Sequence, residues 1–251
     1  MFDVSFIPAF KDNYIWLLTR GKRAVVVDPG DAAPVLARLE ADGLSLEGIL
    51  ITHHHADHQG GVAELVARGP VRVHAPGNES ITGCTHPLYG GETIEILGSP
   101  VSVMAVPGHT LGHLAYLTEG GLFCGDTLFG AGCGRLFEGT PEQMSGSLER
   151  IAALPDATRI YCAHEYTEMN LRFALAVEPD NAALQARAER VASLRGAGLP
   201  SVPSTLGEEK ATNPFLRCSQ PAVIEAALQH GAAACDRVSV FAAIRNWRNG
   251  F

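Results

Sequence analysis

The chain has 251 residues, 46% apolar and 18% charged, enough to bury the core of one large domain or two small ones. A formal charge of -8 at pH 7 disfavours nonspecific binding to nucleic acid or to an acidic membrane surface. The six cysteines, at 84, 124, 133, 162, 218 and 235, are widely spaced and form no Cys-x-x-Cys pair, which suggests reduced thiols in a cytoplasmic protein.

At the N-terminus, Lys11, Asp12 and Arg20 fall where a signal peptide needs an unbroken apolar core, and no run reaches transmembrane length. Phe2 to Pro8, Asn13 to Thr19 and Ala24 to Asp28 read as strands, the last two joined by a hairpin turn at Arg20-Gly21-Lys22-Arg23. Asp28-Pro29-Gly30 breaks the third strand, and the spacing predicts a helix over Ala33 to Asp42 that stops at Gly43. Leu46 to Thr52 reads as a buried strand, followed by a helix over Gly60 to Arg68. Short strands are then expected at Val71 to His74, Thr93 to Leu97, Val101 to Val106, Leu114 to Thr118 and Gly121 to Gly125, forming a second sheet. Pro141 to Leu154 is a helix, with Pro141 in the first turn where its missing N–H costs nothing. Arg159 to Ala163 is the last strand expected. Beyond Tyr166 only helices are expected: Thr167 to Val177, Asn181 to Arg195, Pro221 to Gly231 and Asp236 to Asn249, with Pro200 to Asn213 as a connecting loop. The division is therefore residues 1–166, rich in strands, and residues 167–251, helical.

The densest chemistry is Thr52 to Gly61, Thr-His-His-His-Ala-Asp-His-Gln-Gly-Gly, at the end of a strand. Imidazole nitrogen and carboxylate oxygen suit Zn, Fe and Mn. His53 and His55 are two apart, so in extended backbone they project from one side, whereas His54 points the other way and is expected to pack or support. Asp57 and His58 follow where the chain turns into a helix and can face a second point. His109, Asp126 and His164 each end a predicted strand. His53, His55 and His109 can hold one metal with a position left open, Asp57, His58 and His164 a second, and Asp126 can bridge them. Coordination lowers the pKa of water to about 7, and a hydroxide shared by two metals about 3.5 Å apart is a strong nucleophile, so hydrolysis is expected. Glycine at 108 and 112 lets backbone approach closely around His109. His113 is expected to support the site, Asp28 to orient a ligand imidazole or cap a turn, and His74, His86 and His230 to be structural.

These residues resemble the metallo-β-lactamase superfamily, and most closely glyoxalase II, the hydroxyacylglutathione hydrolases. The likeness rests on Thr52 to Gly61, on Gly125 to Thr140, on His164-Glu165-Tyr166-Thr167 and on Asn213-Pro214-Phe215-Leu216-Arg217, so it covers nearly the whole chain. It implies an α/β fold, the αββα sandwich with a smaller C-terminal helical domain for substrate binding. It also implies two divalent metals per chain, most often Zn, on the ligand sets above, with Asp57 and Asp126 as the catalytic carboxylates. The substrate would be S-D-lactoylglutathione or a similar 2-hydroxyacyl thioester, cleaved to glutathione and the hydroxy acid as the final step of methylglyoxal detoxification. Arg135, Tyr166 and Arg217 stand in the places that meet the glutathione moiety. Where some members carry Tyr, this chain has Phe137, which removes one hydroxyl. The expected state is a monomer without nucleic-acid or membrane partners.

Three other readings compete. A glutathione persulfide dioxygenase of the same superfamily shares the His-x-His-x-Asp-His loop but uses one iron and lacks the helical C-terminal region. A nuclease would want a basic stretch, which this acidic chain lacks. Structural zinc in a binding module would be closed, whereas seven ligands shared by two metals leave room for water.

Overall fold

The computed structural model describes residues 2–251. Side-chain alternation along β2 (Asn13–Arg20) sets the layers. Tyr14, Trp16 and Leu18 enter a core shared with the second sheet, whereas Ile15 and Leu17 enter a separate core beneath the first helices. Strand β3 (Arg23–Val27) repeats this, with Val25 and Val27 on one face and Ala24 and Val26 on the other.

The first sheet has the order β1-β2-β3-β4-β5-β6, adding β1 (Asp3–Ala9), β4 (Ser45–Leu50), β5 (Arg72–Pro76) and β6 (His86–Leu88). Its outer face is covered by α1 (Ala32–Asp42) and α3 (Val62–Val66), which contribute Val35, Leu39, Val62 and Leu65. The second sheet is formed by β7 (Thr93–Ile96), β8 (Ser99–Ala105), β9 (Leu114–Thr118), β10 (Gly121–Gly125), β13 (Arg159–Cys162) and β14 (Ser204–Thr205), in the order β14-β13-β10-β9-β8-β7. Between β10 and β13 lie a separate hairpin, β11 (Leu128–Phe129) with β12 (Gly132–Cys133), and helix α4 (Pro141–Ala152). Trp16 joins the sheets: its indole N–H donates to the Cys162 carbonyl at 3.0 Å, and its ring meets Tyr161 edge-on at 4.8 Å. The C-terminal helices α5 (Thr167–Val177), α6 (Ala182–Gly196), α7 (Leu206–Thr212), α8 (Pro221–Gln229) and α9 (Arg237–Gly250) follow. Phe173, Val177, Phe241 and Ile244 join the same core as Met144 and Leu148 of α4. The result is the expected αββα sandwich with a helical region packed against it.

Four expectations are corrected. The strand expected at Val71 to His74 belongs to the first sheet, not the second, because β5 pairs in parallel with β4. The single helix over Gly60 to Arg68 is replaced by α2 (Ala56–Gln59) and α3, because Gly60 and Gly61 press against the Asp28 to Asp31 turn. A Cβ on Gly61 would lie 2.6 Å from the Ala32 nitrogen, so only glycine permits the approach that seats the His-rich loop. Pro200 to Asn213 is not merely a loop: it supplies β14, which pairs with β13, and then α7. Thr205 caps α7 by accepting from the Glu208 N–H, a Thr-x-x-Glu signal that marks this start in the sequence. The strands β6, β11 and β12 were also unexpected, each being only two or three residues long.

Other signals act as read. Arg20 and Arg23 face each other across the β2–β3 turn, with Gly21 at φ 62°. Gly43 closes α1 at φ 61°. Pro141 opens α4 behind a Thr140 and Gln143 capping box. All six cysteines are unpaired, with Cys124, Cys133, Cys162 and Cys218 buried. Among the described residues no helix is long and apolar enough to cross a membrane.

Candidate metal centre and substrate groove

Strand β4 ends at Leu50, and the loop behind it places His53 and His55 on one side. The Nε2 of His53 and the Nε2 of His109 each lie 3.0 Å from the Nδ1 of His55. On the other side the Nε2 of His58 and the Nε2 of His164 both lie 3.5 Å from an Asp57 oxygen. Asp126 stands between the two groups, one oxygen 3.4 Å from His109 and the other 3.5 Å from His58 and 3.3 Å from His164. The structure thus brings together all seven residues singled out from the sequence.

The hydrogen-bond network assigns which nitrogen of each ring is free. His109 donates from Nδ1 to the Arg135 carbonyl at 2.7 Å, which leaves a lone pair on Nε2. His164 donates from Nδ1 to Asp12 at 2.9 Å, and His58 from Nδ1 to Asp28 at 3.0 Å. The Thr52 hydroxyl donates to Asp28 at 2.7 Å and so accepts from His53 Nδ1 at 3.0 Å. Each of these rings is therefore held by Nδ1 and turns its Nε2 inward, free to bind a cation. Among the described residues the buried Nε2 of His58 and one Asp126 oxygen have no hydrogen-bond partner. Buried lone pairs facing one another without a proton between them are costly unless a cation sits there. The donor set fits two divalent ions.

Electrostatics agrees. Burial opposes charge on His58, but Asp126 and Asp28 outweigh it and hold the imidazole well above its usual range. Burial would likewise raise Asp126, yet His58 and His164 hold its carboxyl below the ordinary range. The field that favours a proton on His58 also favours a divalent cation. His53 goes the other way, pushed well below the usual imidazole range by burial and then by His58 and His113, so it is neutral and available as a ligand.

The supporting residues are now placed. Asp28 orients His58 and ties down Thr52, rather than only capping a turn. His113 stacks on His53 at 4.7 Å, and its Nε2 accepts from the Asp126 N–H. His54 turns away, between Glu79 at 3.0 Å and Glu138 at 3.3 Å, so both its nitrogens are already engaged. Asn13, which the sequence did not single out, donates to the Asp57 carboxylate at 3.0 Å. Gly108 packs on Met144 and Gly112 on Glu79, the close approaches expected around His109.

Next to His164 lies a groove of about 200 Å³ lined by Phe129, Arg135, Tyr166, Met169, Arg245 and Arg248. Tyr166 stacks on the His164 ring at 4.6 Å and links groove to metal centre. Arg217 is not in it. The Nε and Nη2 edge of its guanidinium is held by Glu178, at 2.7 and 2.9 Å, and Nη1 donates to the Lys210 carbonyl at 3.1 Å, so the fork expected to meet a substrate carboxylate is already filled. The positive charge comes instead from Arg245 and Arg248, which the sequence reading missed. Their signal was present: two arginines three apart on one helix share a face. None of Arg135, Arg245 and Arg248 forms an ion pair with a carboxylate among the described residues. Phe137 is exposed and packs edge-on against His55 and His109, both at 5.3 Å.

Residues 10–164 match the model of the metallo-beta-lactamase superfamily, and residues 165–251 match that of the hydroxyacylglutathione hydrolase C-terminus. A hydroxyacylglutathione hydrolase of Dechloromonas aromatica is 73% identical, and one of Methylobacillus flagellatus 56% identical, each over the full length of both chains. Among solved structures, ETHE1 from Myxococcus xanthus aligns over 98% of this chain and 91% of its own, with a TM-score of 0.70 and 22% identity. TTHA1623, solved in a di-iron-bound form, aligns over 84% of this chain and 98% of its own, with a TM-score of 0.61 and 27% identity. With its ligands gathered in two sets and both halves matched at full length, the chain belongs to the hydroxyacylglutathione hydrolases of the metallo-beta-lactamase superfamily.

Proposed function

We propose that the protein hydrolyses 2-hydroxyacyl thioesters of glutathione, S-D-lactoylglutathione above all, to glutathione and the hydroxy acid, the last step in methylglyoxal detoxification. The observation that carries this is the adjacency of two ligand sets to a groove holding three arginines without carboxylate partners. His53, His55, His109 and Asp126 would hold one divalent ion, and Asp57, His58, His164 and Asp126 the other, with Zn, Fe and Mn all compatible with these donors. Bound there, the ions supply Lewis acidity and lower the pKa of coordinated water to about 7.

The chain's own residues do the rest. Asp57, 42% exposed at the mouth and steadied by Asn13, is placed to orient the attacking water by a hydrogen bond. Asp126 holds the two ligand sets in register. Attack at the thioester carbonyl breaks the carbon–sulfur bond, and the thiolate leaves towards the groove side. Arg135, Arg248 and Tyr166 are the groups offered to the peptide, and a guanidinium fork meets a carboxylate with two parallel hydrogen bonds. The proposed division is a metal-binding part up to residue 166 and a substrate-binding part from residue 167. The protein acts as a cytoplasmic monomer, with no nucleic-acid or membrane partner.

The test is hydrolysis of S-D-lactoylglutathione before and after chelation, beside an acyl thioester of a short thiol lacking the peptide. We expect chelator-sensitive activity, strongly favouring the glutathione thioester. Equal efficiency on both thioesters would remove glutathione as the substrate class. Metal analysis giving one ion per chain would favour a mononuclear superfamily member instead.

A further inference from the structure

The hairpin of β11 and β12 belongs to neither large sheet, since its strands pair only with each other. Its turn holds Ala131 at φ 53°, a left-handed conformation that a residue with a Cβ disfavours. Its backbone is satisfied by side chains from beyond residue 166. The Ala131 N–H donates to Glu209 at 2.9 Å. The Asn213 amide donates to the carbonyls of Phe129 and Gly132 at 3.2 and 2.9 Å. Asn170 donates to the Gly130 carbonyl at 3.1 Å, and Arg245 to that of Cys133 at 2.8 Å.

Glu209 is fully buried and firmly placed. It accepts from Arg187 at 2.6 Å, from Ser204 at 2.6 Å and from Asn213 at 3.1 Å. What this network grips is a short bridge between two functional groups. Asp126 precedes the hairpin and Arg135 follows it. Gly134, at its exit, lies so close to Asp126 that a Cβ there would be 1.9 Å from the Asp126 carbonyl oxygen. The hairpin and the Asp126 backbone therefore move together.

We infer that Glu209 and Asn213 are positioning residues: they fix the Leu128–Cys133 hairpin and through it set Asp126 between the ligand sets and Arg135 at the groove. The helical region then acts on the metal centre as well as on the substrate. Without the Glu209 acceptor, the Ala131 N–H would be buried and unpaired, and the left-handed turn would relax to a conformation that frees it. A residue that only stabilised the core would behave differently, because the folded fraction would keep its metals and its Michaelis constant.

The experiment compares two paired substitutions that each neutralise the buried ion pair, so that no charge is stranded. Arg187→Met with Glu209→Gln keeps an acceptor for Ala131, and Arg187→Met with Glu209→Leu removes it. Metal content after dialysis against a weak chelator, KM and kcat are measured on each. We expect the Gln pair to retain two ions and a near-normal KM. The Leu pair should hold fewer ions and show KM raised about fivefold or more. Adding Ala131→Gly to the Leu pair should restore both only in part, because glycine adopts the left-handed turn without strain but its N–H still lacks the Glu209 acceptor. Full metal content and unchanged KM in a folded Leu pair overturn the inference. Should that pair not fold, Asn213→Ala gives the same readings with the ion pair intact, and wild-type values there overturn it equally. The KM reading rests on the proposed groove, so Arg135→Ala is run in parallel. Unchanged KM in that variant removes the groove reading and leaves the metal reading to decide the hairpin.

Discussion

The guanidinium of Arg217 and the carboxylate of Glu178 form two parallel hydrogen bonds, 2.7 and 2.9 Å long, and a third from Arg217 reaches the Lys210 carbonyl at 3.1 Å. Arg217 thereby fastens the end of α7 and the segment after it to the end of α5. Glu178 is nearly buried, so Arg217→Ala would leave its charge without a partner. We expect a stability loss of about 2 to 4 kcal/mol with KM unchanged in the folded protein. Urea unfolding and steady-state kinetics check it, and a raised KM at full stability would return Arg217 to the substrate.

Arg135 and Arg248 carry the opposite expectation. Both line the groove without carboxylate partners, and contacts equal in ground and transition states raise affinity without speeding chemistry. Arg135→Ala and Arg248→Ala should each raise KM for the glutathione thioester about tenfold while sparing kcat. Arg245 is a poorer probe, because its side chain also holds the Cys133 carbonyl. A fall in kcat at constant KM would place either arginine at the reacting atoms.

The contrast between Arg217 and Arg248 shows what the sequence carried. The candidate ligands were legible because strand geometry turns a spacing of two into a shared face, and a tight cluster then calls for partners, which the structure brings near it as His109, Asp126 and His164. The partner of Arg217 lies 39 residues away, and nothing local announces that Glu178 will meet it. Likewise, β11 and β12 pair over two residues each, too few to show alternation, and their geometry is held by Glu209 and Asn213 from another part of the chain. Layers and ligands follow from local periodicity. The arginine-lined groove depends on contacts between residues far apart in sequence, which periodicity does not encode.

Asp126 and His109 should separate in metal analysis. Asp126 offers one oxygen to each ligand set, whereas His109 serves only the set of His53 and His55. Asp126→Ala should lower occupancy at both positions, and His109→Ala should mainly empty one. Two full equivalents of metal in purified Asp126→Ala would sink the bridging assignment.

The last expectation concerns acid stability and a histidine outside the site. His74 on β5 is buried, its Nδ1 has no hydrogen-bond partner, and its ring lies 4.7 Å from that of His86. Burial first, then His86 and Arg72, push its pKa down to about 4. In the unfolded chain an imidazole titrates near 6.5. Above that value both states are neutral and His74 has no effect on the balance. As pH falls from about 6.5 towards 4, the unfolded chain binds a proton that the folded protein refuses, so stability is lost across that window and no further below it. By pH 5 the loss from this group amounts to about 2 kcal/mol. His74→Leu removes the titrating ring, and comparing variant with wild type cancels the titration of the metal ligands, which both proteins share. The difference in unfolding free energy between the two should therefore shift in favour of the variant by about that amount between pH 7 and pH 5. A constant difference across the range would mean that the folded protein accepts a proton on His74 as readily as the unfolded chain does.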